Sequence, residues 1–116
     1  KYQSKLIQSE LIIEDKIEQI KLNSFILYNN FNYNKSKLQS TSLKVIAAKN
    51  SLRAIEKQYE AGTKTFTDLI YQEEVLLLAK LDNLNANKDL ILSYFEILAF
   101  EGKLLDTFNE YLPKIE

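Results

Sequence analysis

The side chains best suited to chemistry are carboxylates in pairs: Glu10 and Glu14 stand one helical turn apart, and Glu73 and Glu74 are adjacent. Such pairs can hold a hard cation or divide acid and base roles between them. Both uses normally draw on further ligands or on a titrating imidazole, and the chain contains neither histidine nor cysteine. The commonest general base, thiolate nucleophiles and the usual transition-metal ligands are therefore missing. The acids then read as solvated helix surface, and no metal or cofactor is expected. Seven tyrosines and six phenylalanines would suit stacking on single-stranded nucleic acid, but that also demands a basic groove. Lysines and acids are interspersed and the net charge is −1, so no nucleic-acid partner is expected. Gly62 stands alone, with no glycine loop to cradle a phosphate. The expectation is a protein that binds and builds, not an enzyme.

The elements that would carry such a role are long. In 116 residues there is one proline, Pro113, and there are two glycines, Gly62 and Gly102. Few breakers mean few turns. The most apolar stretch, Leu90 to Phe100, is interrupted by Ser93 and Glu96 and falls short of the ~18 apolar residues of a membrane span. Lys1-Tyr2-Gln3-Ser4 leads straight into a periodic pattern, which predicts that residue 1 lies inside a helix of a longer protein.

Positions alternately three and four apart define the first arm. They run Leu6, Glu10, Ile13, Ile17, Ile20, Ser24, Leu27, Phe31, Asn34, Leu38, Thr41, Val45, Ala48, Leu52, Ile55, Tyr59. Twelve of these sixteen are apolar and the 3.5-residue phase never slips, the mark of a supercoiled helix seam. The exceptions Glu10, Ser24, Asn34 and Thr41 are expected to weaken the seam or face water. The Asn-rich stretch from Asn29 to Ser36 is the poorest helix former, yet the phase carries through it. The second arm has a wider stripe. Ile70, Leu77, Leu84, Ile91, Leu98 and Leu105 form one heptad row. Beside it, Leu69, Leu76, Leu90, Ile97 and Leu104 form a second, broken by Asn83. Two rows exceed what one partner helix covers. A lone hairpin would leave one of them in water, and self-association is expected.

The break falls at Glu60-Ala61-Gly62-Thr63-Lys64-Thr65. Gly62 suits the left-handed position after a helix C-terminus. Thr65 and Asp68 have the spacing of a capping box, and Asp68 suits the positive end of the helix dipole. So short a connection forces the arms antiparallel. The predicted fold is all-α: helix one over 1–61, a tip turn at 62–65, helix two over 66–110 and a tail at 111–116. It is a long antiparallel two-helix coiled-coil hairpin, with Gly102 expected to end or loosen helix two.

The run Asn50-Ser51-Leu52-Arg53-Ala54-Ile55-Glu56-Lys57-Gln58-Tyr59-Glu60-Ala61-Gly62-Thr63-Lys64-Thr65-Phe66-Thr67-Asp68-Leu69 resembles the inner periplasmic turn of the TolC-like outer membrane efflux family. Leu78-Ala79-Lys80, Tyr94, Leu98 and Phe100-Glu101-Gly102-Lys103-Leu104 resemble the helix that follows in that family without needing a gap. The resemblance extends from about Ala48 to Leu104 and covers one helical-hairpin repeat, the C-terminal one. It implies a piece of a trimeric α-barrel crossing the periplasm below an outer-membrane β-barrel, in an efflux or type I secretion channel. The implied partners are a periplasmic adaptor protein and an inner-membrane transporter. By the same resemblance Gly62, Thr63 and Lys64 form the adaptor-docking tip, and Tyr59, Lys64 and Asp68 belong to polar links that gate the entrance. Two departures weaken those links: Lys64 stands where some members have arginine, and Tyr71 stands where some have a second acid. Lysine lacks the fork that grips a carboxylate at two points. Two other readings fit a polar-tipped hairpin, the α-hairpin of a periplasmic adaptor (membrane fusion) protein and a generic coiled-coil scaffold.

Overall fold

The computed structural model describes residues 1–111. The expected tail from residue 112 onward, Pro113 included, lies outside them. Two α-helices make up the described chain: α1, Tyr2–Glu60, and α2, Phe66–Tyr111. They pair as an all-α helical hairpin around the turn at 61–65. Neither helix contains a proline, and α1 has no glycine, so nothing in its sequence forces a stop before Gly62. The Asn-rich stretch stays helical. Gly102 does not end α2, which continues to Tyr111. Its Cβ position is open and its backbone is ordinary helix, so the missing side chain costs some helix propensity without breaking the hydrogen-bond ladder. No helix among the described residues is long and apolar enough to cross a membrane.

The chain divides into two compact units. The first joins the N-terminal part of α1, up to Phe31, to α2 from Ser93 onward. The second comprises 32–92 and contains the turn. In this turn-bearing unit the α1 seam is Asn34, Leu38, Thr41, Val45, Ala48, Leu52 and Ile55, each buried or half-buried. Opposite it, Leu69, Gln72, Leu76, Ala79, Asn83, Ala86 and Leu90 are buried or half-buried, in the same three-four alternation. The register is set by Thr41, whose Oγ1 lies 3.0 Å from Asn83 Oδ1, and by Asn34 Nδ2, which donates to the Asp89 carbonyl at 3.5 Å. Stepping outward from Thr41 and Asn83 sets Leu38 level with Ala86, Val45 with Ala79 and Ala48 with Leu76, large beside small near the polar layer, and Leu52 with Gln72 and Ile55 with Leu69 toward the turn. Knobs of one helix thus find room on the other.

The expectation that the polar seam residues face water needs correction. Asn34 and Thr41 do not face water; they are among the most buried side chains described. Each finds a hydrogen-bond partner on α2, which removes most of the penalty for burying it. Ser24 is half-buried, and only Glu10 of the four polar exceptions is exposed. On α2 the interrupted row, Leu69 to Leu104, faces α1, while every member of the uninterrupted row Ile70, Leu77, Leu84, Ile91, Leu98 and Leu105 is exposed. The flanking residues explain the choice. Beside the inner row stand Gln72, Ala79, Ala86 and Ser93, small or uncharged; beside the outer row stand Glu73, Lys80 and Glu101 on one side and Glu74 and Lys88 on the other. Turning the outer row inward would bury charges, which costs more than burying Asn83 beside two hydroxyls.

In the other unit Ile20, Ser24, Leu27 and Phe31 of α1 and Ser93, Ile97, Phe100 and Leu104 of α2 are buried or half-buried. Tyr28 donates its hydroxyl to Glu101 at 3.4 Å along the edge. Further along, Ile13, Ile17, Ile20, Leu104, Thr107 and Phe108 line an apolar cleft of about 290 Å³.

Candidate functional site

The turn is built almost entirely by its own backbone. Gly62 has φ of 80°, where a side chain is strained, and nothing lies within 4 Å of its Cβ position. Glycine is therefore needed for conformation, not for space. With the chain bent there, the Thr63 N–H reaches back to the Gln58 carbonyl at 2.9 Å and the Gly62 N–H to the Tyr59 carbonyl at 3.0 Å. These are the two bonds of a Schellman closure, and they satisfy carbonyls that the end of α1 would leave bare. Gln58 is the hub: its carbonyl also accepts from the Thr63 hydroxyl at 3.0 Å and the Lys64 N–H at 3.3 Å. Gln58 was not singled out from the sequence, although its place four residues before a lone post-helical glycine marks it.

Entry into α2 is a reciprocal cap. Thr65 Oγ1 accepts from the Asp68 N–H at 3.2 Å, while Asp68 Oδ2 accepts from the Thr65 N–H at 3.0 Å and from the Thr65 hydroxyl at 2.9 Å. The backbone bond first, then the hydroxyl bond, hold the Asp68 carboxyl below its ordinary range; the nearby Lys64 charge adds a smaller pull in the same direction. A carboxyl depressed in the folded state stabilises it above the unfolded-state pKa, and that contribution disappears as pH falls through the folded-state value. Helix capping at the turn should therefore weaken below about pH 4. Thr65→Ala removes the hydroxyl bond but keeps the Thr65 N–H, so it is expected to raise the Asp68 titration midpoint only part of the way toward that of a free aspartate, read by carboxyl NMR; an unmoved midpoint would mean that the hydroxyl takes no part in depressing it.

The remaining predicted site residues lie around this frame. Tyr59 stacks at a tilt on Phe66, ring centroids 6.2 Å apart, so it closes the base of the turn against a ring that sequence reasoning had not paired with it. Lys64 is exposed, and the cap engages none of its side chain. The tip therefore brings together Tyr59, Gly62, Thr63, Lys64 and Asp68. Of these, Gly62, Thr63 and Asp68 are already engaged in closing the turn, while the Lys64 side chain is exposed and acts within the turn only through its charge on Asp68. This arrangement offers a cation and an aromatic pair on a short loop closed by its own hydrogen bonds.

No protein-family model matches the chain, and neither a curated protein nor a solved structure matches it.

Proposed function

We propose that the chain is the periplasmic α-barrel hairpin of a TolC-like outer membrane efflux or type I secretion channel. On this reading it walls the conduit, and its tip docks a periplasmic adaptor and gates the entrance. The observation that carries the reading is the uninterrupted apolar row of α2 outside the α1–α2 seam, with Leu77 57% and Leu84 63% exposed. A hairpin that had only to fold would gain nothing by keeping a heptad-spaced row in water, whereas a stave in a ring of helices needs a second packing face. The turn sequence supports the same reading through its resemblance to the family's inner turn, and so does Lys64, an exposed cation that makes no side-chain hydrogen bond in the turn.

The mechanism is mechanical. Apolar seams keep each stave intact, and the polar contacts of the tips set the balance between closed and open entrance. Such balances move by a few kcal/mol, so one charge reversal is enough to shift them. Lys64→Glu in the full-length channel is expected to raise conductance or alter drug tolerance while the protein still assembles. Unchanged conductance together with unchanged tolerance would remove Lys64 from the gate.

A further inference from the structure

We infer that Thr41, Ser42 and Asn83 form a register lock, a polar layer that holds α1 and α2 in one alignment independently of the turn. A heptad seam is permissive along its length, because a slip by seven residues still sets apolar rows against each other. The turn opposes such slips through Gly62 and the Thr65–Asp68 cap, but it acts only at one end. The polar layer acts within the seam. Asn83 Oδ1 lies 3.0 Å from Thr41 Oγ1 and 3.1 Å from Ser42 Oγ, so one amide engages two consecutive hydroxyls across the interface. Both hydroxyls also lie within hydrogen-bond reach of the Leu38 carbonyl, at 3.0 and 2.8 Å. Each has one proton to divide between its own helix and the other, so the layer ties α2 to the α1 backbone as well as to its side chains.

The two neighbouring registers show what the layer discriminates. A slip in one direction sets Asn83 against Ala48 and Thr41 against Leu90. In the other direction Asn83 meets Asn34, but Thr41 is left facing Leu76. Either slip strands a buried hydroxyl or amide among apolar side chains, the situation that makes a polar seam residue a register determinant. Thr41 is 5% exposed, so solvent does not substitute for its partner.

The test uses the 116-residue chain with residues 61–65 replaced by a longer glycine-serine linker, which removes the turn's control of alignment. Val45→Cys is combined with Ala79→Cys, level with it in the native register, or with Gln72→Cys or Ala86→Cys, level with it after a slip either way. With the native layer, disulfide formation is expected almost wholly in the Ala79 combination. With Thr41→Val, Ser42→Ala and Asn83→Leu together, the slipped combinations are expected to rise at least tenfold, to yields comparable with the native one. Asn83→Leu alone replaces the triple variant if that one aggregates, and circular dichroism confirms helix content in each case. Cross-linking that stays confined to the Ala79 combination without the polar layer would overturn the proposal. So would scrambling with the layer intact.

Discussion

Replacing Ala86 by glutamate is expected to disrupt the pairing of α1 with α2, whereas the same charge placed two residues away at Leu84 should leave it folded. Ala86 is fully buried opposite Leu38, and Leu84 is 63% exposed. A glutamate at 86 must either carry its charge into an apolar seam or push the helices apart. Ala86 has no exposed surface, so either cost applies in full and amounts to about 3 kcal/mol or more. At 84 the carboxylate reaches water directly, and surface changes of this kind stay within about 0.5 kcal/mol. Urea unfolding followed by circular dichroism, at concentrations low enough for single chains, reads both. Equal losses at the two positions would mean that the inner and outer rows of α2 are not distinct.

The second large effect concerns association. Each half-exposed leucine or isoleucine of the outer row still has on the order of 1 kcal/mol of burial to gain from a neighbouring helix. Four of them, Ile70, Leu77, Leu84 and Ile91, lie in the turn-bearing unit alone. The sum competes with the entropy lost on association, so the chain should self-associate as its concentration rises. Sedimentation equilibrium is expected to show this for the native chain. A variant carrying Leu77→Glu, Leu84→Lys and Ile91→Glu should remain monomeric with its helix content unchanged. A native chain that stays monomeric at high concentration would remove the main support for the proposed stave role.

Much of the architecture was legible in the residues because a heptad is a long-range signal. From Ile20 to Ile55 every predicted α1 seam position is buried or half-buried, and Gly62 and the Thr65–Asp68 cap stand where turn chemistry required them. The errors share one cause. A single helix reveals which of its positions share a face, not what the opposite helix offers them. Asn34 and Thr41 look like defects until the Asp89 carbonyl and Asn83 are seen across the seam. Likewise the two apolar rows of α2 showed that one would be left in water but not which; the contact was decided by the neighbours of the Leu69 row, where Ala79, Ala86 and Ser93 permit close approach. Of the two expectations for Gly102, that it ends α2 does not hold, since the helix continues to Tyr111; a glycine whose helix packs on both sides of it costs helix propensity without breaking the ladder. At the tip, the residue types were found, but not the convergence of three donors on the Gln58 carbonyl, which is a property of the backbone path.

The tip, the inner seam and the outer apolar row all depend on the chain reversing at Gly62, so that α1 and α2 run side by side. Spin labels at Lys44 and Lys80, both exposed and at nearly the same level of the hairpin, test this with one distance. With helix axes about 8–10 Å apart, the labels should lie roughly 15–25 Å from each other. A single helix running through Gly62 would instead separate them by about 54 Å at a rise of ~1.5 Å per residue, and a distance near that value would contradict the account.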